Sequence, residues 1–188
     1  GFASDNLLGP NTCDDGLIKN LIEECDYYKI ESVLLSRHQS TWELVKQIDY
    51  TKPKTIACSY FFDKSELLLL KKIFKKLKIG ISSNPKRFDK NYFQSVASLT
   101  NIFYYDLNIY EKDDIKTFSI YDCLDQINFL KKLKKPIYIG GGISHKNAKV
   151  VINNAQPHGL DISRSLKDRK NDLCEKKLNR LIQSLSAG

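Results

Sequence analysis

Short apolar runs alternate with amphipathic helical segments along most of this chain. Asp14–Tyr28 has helical spacing, with acidic residues at its start, where the helix dipole favours them. Lys29–Ser36 reads as a strand. Ser40–Ile48 reads as a helix opened by a capping box, Ser40 with Glu43. Lys54–Phe62 is strand-like, Asp63–Leu77 is strongly amphipathic, and Lys78–Ser82 is a short strand. A helix over Asp89–Ser98, a strand over Asn101–Leu107 and a helix over Ile120–Leu133 follow. Pro136–Ile139 is a strand, His145–Ala155 a helix, His158–Ser163 a strand and Asp172–Leu185 the last helix. Such alternation implies parallel strands joined by right-handed helical crossovers. So many units without a linker or a shift in composition point to a closed (β/α) barrel rather than an open sheet.

Composition narrows the partners. The 188 residues suit one domain, 1–188, with a sizeable core. No apolar run approaches bilayer-spanning length, and "GFASDNLLGP" shows no secretory signal pattern. The five cysteines form no CxxC pair, which fits reduced thiols and a cytoplasmic location. His38, His145 and His158 are scattered, so no metal site is expected. The formal net charge of +8 raises nucleic acid as a partner, but no binding motif and no interleaving of aromatic with basic residues accompany it. The lysine-rich stretches Leu70–Lys78 and Phe129–Pro136 read as the solvated faces of amphipathic helices. Trp42 reads as a packing residue and Cys58 as core. Neither nucleic acid nor membrane is an expected partner.

The most informative stretch is "KPIYIGGGISHKNAKVV", Lys135–Val151. A strand running into Gly140, Gly141 and Gly142 presents backbone N–H groups with no β-carbons in the way, so a phosphate can approach closely. A helix start just beyond adds partial positive charge. The last strand runs out into "LDISRS", Leu160–Ser165. In barrels, the loops after the last two strands often form a phosphate site.

These segments resemble phosphoribosylanthranilate isomerase, the (β/α)8 TIM-barrel enzyme of tryptophan biosynthesis. The resemblance is strongest over the last third of the chain. It places the family's phosphate-binding glycine pair on Gly141 and Gly142. The family's second phosphate motif, Asp-Val-Ser-Ser-Gly, falls on Asp161, Ile162 and Ser163, with Arg164 and Ser165 where Ser and Gly are usual. Arg164 offers planar donors that suit a phosphate. "NIFYYDL" matches the sixth strand, whose terminal Asp is the family's general acid, here Asp106. The family's glycine-rich loop after that strand is replaced by "NIYEKDDI", which reads as loop. "GFAS" matches the end of the second strand, so the first βα unit and most of the second strand are expected to lie outside these residues. The Ser-Pro-Arg that follows in the family, and its Lys-x-Cys-Gly general-base motif, have no counterpart in the chain. Cys13 follows the second strand and does not correspond to that base.

The resemblance implies an Amadori rearrangement of a phosphosugar, needing a general acid, a base on the other side of the sugar, and a grip on the phosphate. It implies no cofactor, and it allows fusion to or association with another tryptophan-pathway domain. The alternative is a diverged, inactive barrel of the same family that keeps phosphosugar binding. Arg164, Ser165 and the lost motifs motivate it.

Overall fold

The computed structural model describes residues 1–7, 12–111 and 114–186. The chain divides into two compact units, one of residues 1–82 with 91–102, the other of 83–90 with 103–188.

The first unit begins with β1 (Phe2–Ser4), a single 3-10 turn (Asp5–Leu7) and β2 (Thr12–Cys13). It continues through α1 (Asp15–Tyr27), β3 (Leu34–Ser36), α2 (Thr41–Thr51), β4 (Thr55–Cys58), α3 (Lys64–Ile73), β5 (Lys78–Ser83) and α4 (Lys90–Val96). The strands pair in the order β2-β1-β3-β4-β5, all parallel. Register places Leu34 beside Ile56 and Ile56 beside Ile79. All three are fully buried and form one layer of the core. Every residue of β4 is buried, as expected of a strand covered on both faces.

The second unit contains β6 (Ile102–Asp106), a two-stranded antiparallel ribbon of β7 (Asn108–Glu111) and β8 (Asp114–Thr117), and α5 (Ile120–Lys132). Then come β9 (Ile137–Gly140), α6 (Ala148–Ala155), β10 (Gly159–Leu160), a 3-10 turn (Arg164–Leu166) and α7 (Glu175–Ser186). Its strands β6, β9 and β10 are parallel, with Asp106 beside Gly140 and Ile139 beside Leu160. Phe103 and Tyr105 of β6, Ile137 and Ile139 of β9, and Cys123, Ile127 and Leu130 of α5 are all buried.

Helix starts are set by side chains. Asp14 accepts the Leu17 N–H at 2.8 Å. Asp63 forms a full capping box with Glu66, with bonds of 2.9 and 2.8 Å. Ser40 does not do this for α2: its side chain makes no capping bond, and Glu43 pairs instead with His38 at 3.4 Å. Trp42 is 62% exposed, so it is not the packing residue expected of it.

Other differences from the sequence reading are local. The third strand starts at Leu34 rather than Lys29, the fourth stops at Cys58, and the last covers only Gly159–Leu160. Helix α6 starts at Ala148 because Ser144 and Asn147 form a turn that takes up residues 144–147. The stretch expected to be loop after β6 is the β7–β8 ribbon. The Thr12–Cys13 strand was not anticipated. Among the described residues no helix is long and apolar enough to cross a membrane.

Candidate active site

Alternation along β6 buries Phe103 and Tyr105, and Tyr105 directs its hydroxyl to Gln126 on α5. The opposite parity carries Tyr104 and, at the strand's C-terminal end, Asp106. Asp106 Oδ1 accepts the Asn108 N–H at 2.8 Å. Burial pushes its carboxyl above the usual carboxylate range; the Asn108 bond opposes this, the Asp161 carboxylate adds to it, and Tyr110 and Arg164 oppose it. Asp106 is therefore biased toward its protonated form.

Directly against it lies the glycine loop. Gly141 has φ +87° and Gly142 φ +67°. A β-carbon on Gly141 would run into Asp106 Oδ1, 2.6 Å from Leu107 N and 2.7 Å from Asn108 N. One on Gly142 would stand 2.9 Å from Thr117 Cγ2. Glycine is thus required here by conformation and by close approach together.

The loop is held from both ends. Ser144 N–H donates to Asn147 Oδ1 at 2.8 Å, and Asn147 Nδ2 donates to the Gly142 carbonyl at 3.1 Å. Ser165 Oγ donates to the Ile143 carbonyl at 2.5 Å, which ties the loop after β10 to the loop after β9. The backbone N–H groups of Gly142, Ile143 and Ser163 meet no acceptor among the described residues. Donors left open on a glycine-rich loop suit an oxyanion.

Asp106, Gly141, Gly142, Asp161, Ser163 and Arg164, the six residues singled out from the sequence, all line one cavity of about 490 Å³. Asn108, Tyr110, Ile115 and Thr117 of the ribbon line it too, together with Ile143 and Ser165. The sequence reading missed the ribbon residues because their stretch lacks the family's glycines. The period-two spacing of Asn108 and Tyr110 was the available signal. Arg164 Nη2 donates to Tyr110 Oη at 3.1 Å, and its guanidinium carbon lies 5.6 Å from the centre of that ring.

Cys58 is buried, as the sequence indicated, and burial pushes its thiol up to about 12. Cys13 is half-buried on β2.

No protein-family model and no curated protein matches the sequence. Solved structures do match the fold. N-(5'-phosphoribosyl)anthranilate isomerase from Pyrococcus furiosus superposes with a TM-score of 0.74 at 17% identity, over 98% of this chain and 86% of that one. The phosphoribosyl anthranilate isomerase of Thermococcus kodakaraensis gives 0.76 at 15%, over 100% and 88%. A 3-keto-L-gulonate-6-phosphate decarboxylase from Vibrio cholerae gives 0.64 at 13%, over 91% and 78%. The chain therefore has an α/β fold of the type these phosphosugar enzymes share.

Proposed function

We propose that the protein is a phosphoribosylanthranilate isomerase, a cytoplasmic enzyme of tryptophan biosynthesis built on a single barrel domain. One observation carries the reading: Asp106, a carboxyl held toward its protonated form, stands against a glycine loop whose N–H groups are open to an anion. Both solved relatives of differing chemistry are named for sugar phosphates, which supports a phosphosugar as the ligand class.

In this reading the loop after β9, the loop after β10 and Arg164 hold the phosphate and fix the sugar over Asp106. Asp106 gives its proton to the ribose ring oxygen as the C1–O bond breaks, leaving a protonated imine at C1. A base removes the C2 proton, and that electron pair neutralises the imine to give an enolamine. The protonated base returns its proton to C1 while the enol releases its proton to the Asp106 carboxylate, giving the aminoketone and restoring both groups. None of the residues described above is assigned as the base.

The decisive experiment is turnover of freshly generated phosphoribosylanthranilate by the protein as its gene encodes it, followed by loss of anthranilate-type fluorescence. Turnover that collapses in Asp106→Asn supports the isomerase. The second reading, a phosphosugar-binding barrel without isomerase activity, is favoured by Arg164 and Ser165 in the second phosphate motif. It predicts phosphosugar binding with no turnover.

A further inference from the structure

The contact between Tyr110 and Arg164 has no counterpart in the family motif, because the motif has Ser where this chain has Arg164. Tyr110 lies on β7, whose period-two alternation puts Asn108 and Tyr110 on one face and buries Ile109 on the other. The ribbon is fixed at its base. Thr117 Oγ1 donates to Asn108 Oδ1 at 2.7 Å, and Phe118 N–H donates to the Leu107 carbonyl at 2.9 Å. The same base rests on the glycine loop, since Thr117 occupies the space a side chain on Gly142 would need. The ribbon thus carries an aromatic ring to the cavity. That ring meets Arg164 in two ways, face to guanidinium and hydroxyl to Nη2.

We infer that Tyr110 is a positioning residue for Arg164: it holds the guanidinium at the cavity mouth, where an incoming phosphate exchanges the tyrosine hydroxyl for its own oxygen. This rests on the phosphate-binding part of the reading above and not on its catalytic part. A free arginine side chain has many rotamers, and fixing one costs binding free energy. Stacking on Tyr110 leaves the guanidinium edge, with its remaining donors, available to the anion while most of that ordering is already complete. Arg164 then supplies the directional donors that a Gly-containing backbone would otherwise provide.

The test is a double-mutant cycle on the affinity for inorganic phosphate, measured by calorimetry on the whole protein. Arg164→Ala should weaken binding by about 20-fold or more, in line with loss of a charge-assisted contact. Tyr110→Ala should weaken it by about 5- to 10-fold, and Tyr110→Phe, which keeps the ring, by no more than about 3-fold. The double variant Tyr110→Ala/Arg164→Ala should bind no more weakly than Arg164→Ala alone. Wild-type affinity in Tyr110→Ala, or losses that multiply in the double variant, overturn the inference. Should Tyr110→Ala fail to fold, Tyr110→Leu takes its place in the same cycle. Failure of the two readings is distinguishable. A coupled cycle in a protein without turnover supports the clasp and removes the isomerase; turnover with an uncoupled cycle does the reverse. If the wild-type protein binds no phosphate, both fall. In an active enzyme, Tyr110→Ala should raise KM on its own but no further in an Arg164→Ala background, which a general loss of structure would not do.

Discussion

Gly141 and Asp106 compete for one volume: the backbone of the first passes where any side chain would displace the carboxylate oxygen of the second. The turn at the glycines therefore also sets the position of the Asp106 carboxyl. Gly141→Ala should disturb both. With φ +87° and a backbone contact at 2.6 Å, it should lower unfolding free energy by about 2–4 kcal/mol, read from urea denaturation. Phosphate affinity should fall with it, since the loop must shift.

Asp106→Asn separates catalysis from stability. Turnover should drop by about 10²- to 10⁴-fold while phosphate affinity stays close to wild type. The folded-state pKa of Asp106 is raised, chiefly by burial. The native state therefore binds more protons than the unfolded state, and this residue's contribution to stability declines as pH rises from the ordinary carboxylate value through the raised one. The substitution removes the ionised form that burial disfavours and keeps an oxygen for the Asn108 N–H. Asp106→Asn should thus equal or exceed the wild type in melting temperature, and the difference should vanish in acid. For turnover the sign is the same: the rate should fall as pH rises through the pKa of Asp106.

Asn147 holds the loop after β9 through its two bonds to Ser144 and Gly142. Asn147→Ala should cost about 1–2 kcal/mol of stability. Its effect on an active enzyme should lie in KM, because in the proposed reading the loop grips the phosphate and not the reacting carbons.

The capping box of α3 provides a control away from the cavity. Its Asp63 carboxylate is held below the usual range by the Ser65 hydroxyl and by the Glu66 and Ser65 N–H groups. A depressed folded pKa means that the cap stabilises above the unfolded pKa and is lost as pH falls through the folded one. Asp63→Ala should lower the melting temperature at neutral pH, leave it unchanged in strong acid, and leave phosphate binding as it was.

Some of this molecule is written in local spacing. Alternating strand and helix patterns dictated parallel pairing, because a helix between two strands reverses the chain twice and brings it back in the same direction. Glycines at a strand end marked the loop proposed to hold an anion, since their backbone freedom is a property of the residue itself. Asp106, at the end of "NIFYYD", was singled out by a family resemblance and not by any local pattern.

What the tertiary structure decided are the contacts between residues far apart in the chain. Arg164 meets Tyr110 across 54 positions, and Ser165 meets Ile143 across 22. No local pattern encodes such a meeting, because it depends on how β10 registers beside β9 and how the ribbon rises from β6. Ser40 shows the same limit in reverse: its capping pattern is present in the sequence, yet Glu43 pairs with His38 and the cap is not made. Local propensity is worth about 1 kcal/mol at such a site, and competing tertiary contacts of similar size override it.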